Sequence, residues 1–126
     1  MRSRAALDTI TAALSAALFV CLLFFPRVVF VLFGMEGNES AAVMSRRASA
    51  LFLGLAVMCW LARGAEASVA RRALDAGLGV AMLGLAVAGA VEFTRGAVGP
   101  GVWLAVVVEV TIAVSYLRAW RTSRIG

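Results

Sequence analysis

The amino-acid sequence predicts an all-α integral membrane protein, a four-helix bundle whose chain runs up, down, up and down across the bilayer. Hydrophobic residues make up 63% of the chain and charged residues 15%, whereas soluble domains average roughly 45–50% apolar and about 25% charged residues. The length of 126 residues accommodates about four crossings of ~20 residues with short connections. We therefore expect residues 1–126 to form a single transmembrane domain.

The first span is predicted at residues 5–25 and ends at Pro26, because proline cannot continue a helix. Basic residues before an apolar run are typical of a signal peptide. Here, however, Asp8 interrupts the run and no small-residue cleavage site follows, so we expect a retained helix. The apolar stretch from Arg27 to Phe33 is too short to cross, which predicts a short interfacial segment after the first span.

Three further spans are predicted at residues 43–62, 69–93 and 101–120. The second ends at Arg63-Gly64, since glycine after a terminal basic residue is a helix-stop signal. Aromatic residues near the span ends form the belt expected at a membrane interface: Trp60, Trp103, Tyr116 and Trp120. Small residues allow helices to approach closely in lipid, and the predicted packing residues are Gly54, Gly77, Ala81 and Gly84.

Four crossings place both termini on the same side of the membrane. Because basic residues favour the cytoplasmic side, the charge distribution predicts that both termini are cytoplasmic. The arginines on the side of the termini are Arg2, Arg4, Arg63, Arg71, Arg72, Arg118, Arg121 and Arg124, against Arg27, Arg46, Arg47 and Arg95 on the other side.

The third span opens with RRALD at residues 71–75, and the first opens with RAALD at residues 4–8. Duplication of a helical hairpin explains this similarity, and so does a bias toward arginine and alanine at helix ends. Asp8 and Asp75 each stand beside basic residues near a helix start, where a carboxylate complements the helix dipole. We expect both aspartates to have this structural role.

The residue types exclude most catalytic chemistry. Histidine is absent, and the two cysteines, Cys21 and Cys59, differ in predicted depth by roughly 15 Å. This separation is too large for a disulfide, so we expect both cysteines to be apolar packing residues. With no cysteine cluster, glycine-rich phosphate loop or basic patch interleaved with exposed aromatics, the sequence predicts no enzyme activity, metal site, cofactor or nucleic-acid partner.

Glu109 is the deepest charged residue of the predicted spans, and in lipid it needs either a proton or a cationic partner. Its neighbours at helical steps of three and four are partly small, so we expect its face to point into the bundle. Arg47 shares a stripe with small residues on the second span and, like Glu92, lies in the outer half of the membrane. The sequence predicts a polar network of Arg47, Glu92 and Glu109, with Arg46 or Arg95 at its hydrated rim.

Two interpretations of this polar network stay open. In the first, its charges specify which helix faces meet, and the protein is an accessory or structural subunit. In the second, Glu109 lines an outward-facing pocket of a small-molecule binder or proton-coupled transporter. In both, the expected surroundings are the lipid bilayer and either another membrane protein or further copies of this chain.

The stretch RASALFLGL, residues 47–55, follows a proline-led segment that ends in Phe-Gly at residues 26–34. In this pattern the chain resembles the small four-helix bacterial membrane proteins grouped with the DoxX-like families, especially an uncharacterised branch. Members often carry glycine where this chain has Ala50. The resemblance implies a four-helix bundle in the inner membrane and brings no established activity. Some better-known relatives are linked to quinone or thiol redox complexes, but no residue for that role carries over.

Overall fold

The computed structural model describes residues 2–123, which contain five α-helices and no strand. The all-α class is confirmed, with four long apolar helices and one short helix after the first. Arg124, which contributes to the predicted charge asymmetry, lies outside the described residues. The helices are α1 (Arg2–Phe24), α2 (Pro26–Leu32), α3 (Glu39–Ala62), α4 (Val69–Thr94) and α5 (Val102–Thr122).

Local signals at the helix ends explain the boundaries of α1 and α3. The helix α1 stops before Phe25, whose φ of −132° and ψ of 52° are not helical, because the residue before a proline disfavours the α conformation. Asn38 caps α3, and its side chain accepts a hydrogen bond from the Ala41 N–H at 2.8 Å. The cap starts α3 at Glu39 rather than at the predicted residue 43, since capping extends a helix beyond its apolar part.

Both ends of α4 also carry recognisable signals. The Ser68 hydroxyl caps the start and accepts a hydrogen bond from the Arg71 N–H at 3.1 Å. At the end, Gly96 adopts a φ of 77° and donates its N–H to the Phe93 carbonyl at 3.0 Å. This left-handed conformation favours glycine, so Gly96 fixes the point where α4 stops.

The chain divides into two compact units, with the boundary in the sequence between Arg63 and Gly64. In the N-terminal unit, α1 packs against α3, and the short α2 contacts both helices. The Phe30 ring of α2 is buried, and a Cβ on Gly37 would lie 2.8 Å from its Cδ2 atom. The loop before α3 therefore needs glycine where it passes Phe30. The buried apolar residues of this unit are Ala12, Leu22, Phe30, Ala56 and Cys59.

The C-terminal unit is an antiparallel hairpin of α4 and α5. A Cβ on Gly79 would lie 2.6 Å from Cγ of Leu117, and a Cβ on Gly89 would lie 3.1 Å from Cγ2 of Val106. The later position on α4 meets the earlier position on α5, which defines the antiparallel direction. The buried apolar residues of this unit are Leu78, Met82, Ala86, Val102, Val106, Ile112, Ala113 and Tyr116.

The first long helix of each unit buries the same positions, counted from its aspartate. These positions are i, i+3, i+4 and i+7, which form one face of an α-helix. They are Asp8, Thr11, Ala12 and Ser15 in α1, and Asp75, Leu78, Gly79 and Met82 in α4. A bias toward arginine and alanine does not by itself predict a shared burial register, so this register adds a structural observation to the duplication hypothesis.

Candidate functional site

A buried ion pair lies in the first turns of α4. Arg71 Nε is 3.3 Å from Asp75 Oδ1, and the two side chains are only 3% and 0% exposed. The residues are four positions apart, so their side chains lie on the same helix face. That face also carries Leu78 and Gly79, which are buried in the hairpin. The charges of this pair are thus enclosed within the folded C-terminal unit.

The N-terminal unit buries polar groups at the corresponding place in α1. The Asp8 side chain is 1% exposed and has Arg4 four positions before it, as Asp75 has Arg71. Thr11 and Ser15, on the same face, are 1% and 2% exposed. At the positions where α4 buries the apolar side chains of Leu78 and Met82, α1 buries the hydroxyl groups of Thr11 and Ser15. The α1 face is therefore more polar than its α4 counterpart.

The burial of Asp8 and Asp75 goes beyond the role expected from sequence. Each lies near the start of its helix, as predicted, but each side chain is also buried. A carboxylate that serves only the helix dipole needs no such burial. The signal that indicates burial is spacing, because both aspartates fall on the i, i+3, i+4, i+7 stripe of their helix.

Two arginines of the predicted polar network form ion pairs with acidic residues on their own helix. Arg95 Nη1 lies 3.2 Å from Glu92 Oε1 at the end of α4, with side-chain exposures of 70% and 40%. Arg46 Nη2 lies 3.5 Å from Glu39 Oε1 on α3, with side-chain exposures of 45% and 88%. Exposed pairs of this kind stabilise a fold by about 0–1 kcal/mol in water. Glu92 and Arg95 thus pair locally on α4, and Arg46 pairs with a residue outside the predicted network.

Arg47 lies on an exposed face of α3. Within the described part of the N-terminal unit, its side chain has no recorded ion pair or hydrogen bond. Its stripe includes Leu51, which is 73% exposed, and the exposed Gly54, whereas Ser49 and Ala56 are buried. The face that carries Arg47 is therefore not the buried face of α3. The predicted link from Arg47 to Glu92 and Glu109 joins the two units and stays a prediction.

Glu109 lies on the packed stripe of α5 and is partly buried. The residues that flank it at steps of three, four and seven include Val106, Ile112, Ala113 and Tyr116, all of which are buried. Its face is therefore an inner face of the α4–α5 hairpin, as its sequence neighbours predict. Within the described part of that hairpin, the Glu109 carboxylate has no recorded hydrogen bond or ion pair.

The predicted small-residue stripe does not line the contact between α4 and α5. Gly77, Ala81 and Gly84 are exposed, and a Cβ on either glycine would meet no atom within 4 Å. The glycines at the contact are Gly79 and Gly89, which the prediction did not include. On α3, Gly54 is likewise exposed. These exposed stripes leave room for a close neighbour that is not the hairpin partner.

Cys21 and Cys59 are not joined by a disulfide. Cys59 is fully buried in the N-terminal unit, and Cys21 is partly buried. Their burial agrees with the packing role predicted for them.

Four helices have the length and composition of membrane spans: Ser3–Phe24, Glu39–Ala62, Val69–Thr94 and Val102–Thr122. The shortest of them has 21 residues, which is about 32 Å of helix and enough to cross a hydrocarbon core of roughly 30 Å. The chain is a multi-pass membrane protein. It matches no protein-family model, no curated protein and no solved structure.

Proposed function

We propose that this chain is an accessory, structural subunit of a protein assembly in a bacterial cytoplasmic membrane, without catalytic activity of its own. The observation that carries the proposal is the buried Arg71–Asp75 pair. A catalytic or transport carboxylate has to meet solvent or a substrate, whereas this carboxylate is enclosed with its cation inside a hairpin. Charges used in this way orient helices, which is a packing function.

The exposed surfaces of the long helices support the accessory role. Only 17–28% of the residues in each apolar window are buried. The rest of each window can face lipid or a neighbouring protein. The small residues of the α4 stripe, Gly77, Ala81 and Gly84, favour a protein neighbour, because small side chains let a second helix pack against the backbone. A larger membrane protein or another copy of this chain fits such a face.

The cellular setting in the proposal comes from the sequence. The arginine asymmetry favours cytoplasmic termini, and the resemblance to the DoxX-like families favours a bacterial inner membrane. The short helix Pro26–Leu32 stands where those families often carry a proline-led segment. Neither feature points to a reaction, so the proposed role stays structural.

Co-purification tests this role. The tagged chain is extracted in mild detergent, and its companions are identified by mass spectrometry and then tagged in a reciprocal experiment. We expect a membrane protein that retains this chain at a fixed ratio and accumulates less when the chain is deleted. A protein that purifies alone, and whose deletion changes the level of no other membrane protein, would contradict the proposal.

The predicted network can be tested in the same cells. If Arg47 and Glu109 help to hold the helices together, Arg47→Ala and Glu109→Ala should each lower the amount of folded protein. Arg27→Ala is the matched control, because Arg27 is an exposed arginine of α2 outside the network. If all three variants accumulated to the wild-type level, the network would no longer be part of the proposal.

A second candidate function rests on Glu109 itself. Its carboxylate lies on the packed stripe of α5, and it has no recorded ion partner within the described part of its hairpin. An intramembrane carboxylate of this kind is a candidate site for a proton or a polar ligand. The chain would then act as a small-molecule binder or a proton-coupled transporter.

Proteoliposomes test the second candidate. Wild-type protein should dissipate an imposed pH gradient, Glu109→Gln should not, and Glu92→Gln should behave as the wild type because Glu92 is paired with Arg95 at the end of α4. Gradients that decay at the same rate with wild-type protein and with empty liposomes would exclude proton transport. Binding is tested separately by the pH dependence of ligand-induced thermal stabilisation.

A further inference from the structure

One end of the α4–α5 hairpin concentrates arginine side chains. It is formed by the start of α4 and the end of α5, which the antiparallel packing brings together. The described residues of this end include four arginines and two acidic residues: Arg71, Arg72, Arg118, Arg121, Glu66 and Asp75. The pair of Arg71 with Asp75 is electrically neutral. Among the described residues of this end, three guanidinium groups and one exposed carboxylate, that of Glu66, therefore remain.

Arg118 and Arg121 lie three positions apart near the end of α5, and both are exposed. Residues at this spacing are neighbours on the helix surface, where like charges repel. Among the described residues, neither guanidinium has a recorded acidic partner. An anion between the two side chains would remove the repulsion and accept hydrogen bonds from both of them.

Arg72 lies beside an interfacial aromatic residue. Its guanidinium carbon is 5.9 Å from the centre of the Trp120 ring, at the outer limit of a cation–π contact. The Arg72 Nε atom is buried and lacks a hydrogen-bond acceptor among the described residues. Trp120 is 39% exposed and is one of the aromatic residues that the sequence predicts at the membrane interface. The Arg72 side chain as a whole is partly exposed, so its guanidinium lies at the surface beside a tryptophan that the sequence predicts at the membrane interface.

We propose that the end of the α4–α5 hairpin that carries Arg72, Arg118 and Arg121 binds the phosphate groups of anionic phospholipids. Guanidinium groups pair with phosphate oxygens in a bidentate geometry, and arginines next to a span attract the anionic lipids of a leaflet. The occupant is a lipid rather than a soluble phosphate because the donors surround a helix end in an apolar protein, beside Trp120. The proposal holds whether the chain is an accessory subunit or a transporter.

Native mass spectrometry of the purified full-length chain tests this site. Phosphatidylglycerol, which is anionic, and phosphatidylcholine, which is zwitterionic, are titrated separately into the detergent-solubilised protein, and retained lipids are counted. Wild-type protein should retain phosphatidylglycerol preferentially. Arg118→Gln/Arg121→Gln should lower the phosphatidylglycerol affinity by roughly twenty-fivefold, at about fivefold per arginine. Adding Arg72→Gln should reduce it further.

Two further variants locate the site. Arg27→Gln/Arg95→Gln removes the same charge from other exposed arginines and should leave lipid retention unchanged. Arg118→Lys/Arg121→Lys keeps the charge and should restore most of the preference. Unchanged circular dichroism will show that the variants are folded, as expected for exposed side chains. Equal retention of the two lipids, equal loss in the control variant, or displacement of the lipid by millimolar inorganic phosphate would each overturn the proposal.

Discussion

Replacing Asp75 with alanine is expected to destabilise the C-terminal unit strongly. The substitution leaves the Arg71 guanidinium, which is 3% exposed, without its carboxylate. At the observed separation of 3.3 Å, the attraction between unit charges is about 5 kcal/mol for an effective dielectric constant of ~20. Removing one partner of a buried pair typically costs about 3–5 kcal/mol. We expect a loss of unfolding free energy in that range.

The two single substitutions should not be equivalent. A guanidinium keeps its charge at any pH that a protein tolerates, whereas a stranded carboxyl group can be neutralised by a proton. Arg71→Ala should therefore cost less than Asp75→Ala. Replacing both residues with apolar side chains, as in Arg71→Met/Asp75→Leu, should recover most of the loss, because no buried charge remains.

Unfolding in mixed micelles measures these differences. Purified variants are titrated with a denaturing detergent while helicity is followed by circular dichroism. Glu92→Ala is the control, since its pair with Arg95 is exposed and should contribute about 0–1 kcal/mol. If Asp75→Ala and Glu92→Ala were equally stable, or if the apolar double variant were no better than Asp75→Ala alone, the structural role of the pair would be refuted.

Two other substitutions probe the same hairpin. Gly79→Ala should be about 1–3 kcal/mol less stable than Gly77→Ala in the micelle titration, because only the Cβ at residue 79 would collide with the Leu117 side chain; equal stabilities would argue against this contact. Ser68→Ala removes the cap on the Arg71 N–H and should cost about 1 kcal/mol. Its effect should appear as faster amide exchange in the first turn of α4, and unchanged exchange would show that the cap does not stabilise the helix.

Much of the fold could be predicted because the formation of a membrane span depends on the summed hydropathy of one continuous segment. The predicted spans end within two residues of the observed helices α1, α3, α4 and α5. The clearest difference is the start of α3, where the Asn38 side chain holds the first turn at Glu39. A hydropathy pattern does not predict this start, because the start depends on one hydrogen bond and not on an apolar stretch.

The candidate sites were less predictable, because they depend on which faces of two helices meet. The inner face of Glu109 could be predicted, since Val106, Ala113 and other neighbours define one periodic stripe. The contact face of α4 could not, because its stripe through Gly77 and its stripe through Gly79 are both open to close packing. The shape of Leu117 selects Gly79, and Leu117 is distant in sequence.

The membrane class, the number of spans and the asymmetry of arginine follow from the sequence, because length, hydropathy and charge are properties of each segment alone. Helix packing, in contrast, buries Asp8 and Asp75, brings Gly79 rather than Gly77 against α5, and places Arg72 beside Trp120. The physical reason is that burial and pairing depend on the complementary surface of a second helix. A single helix presents several faces of similar composition, and only packing chooses among them.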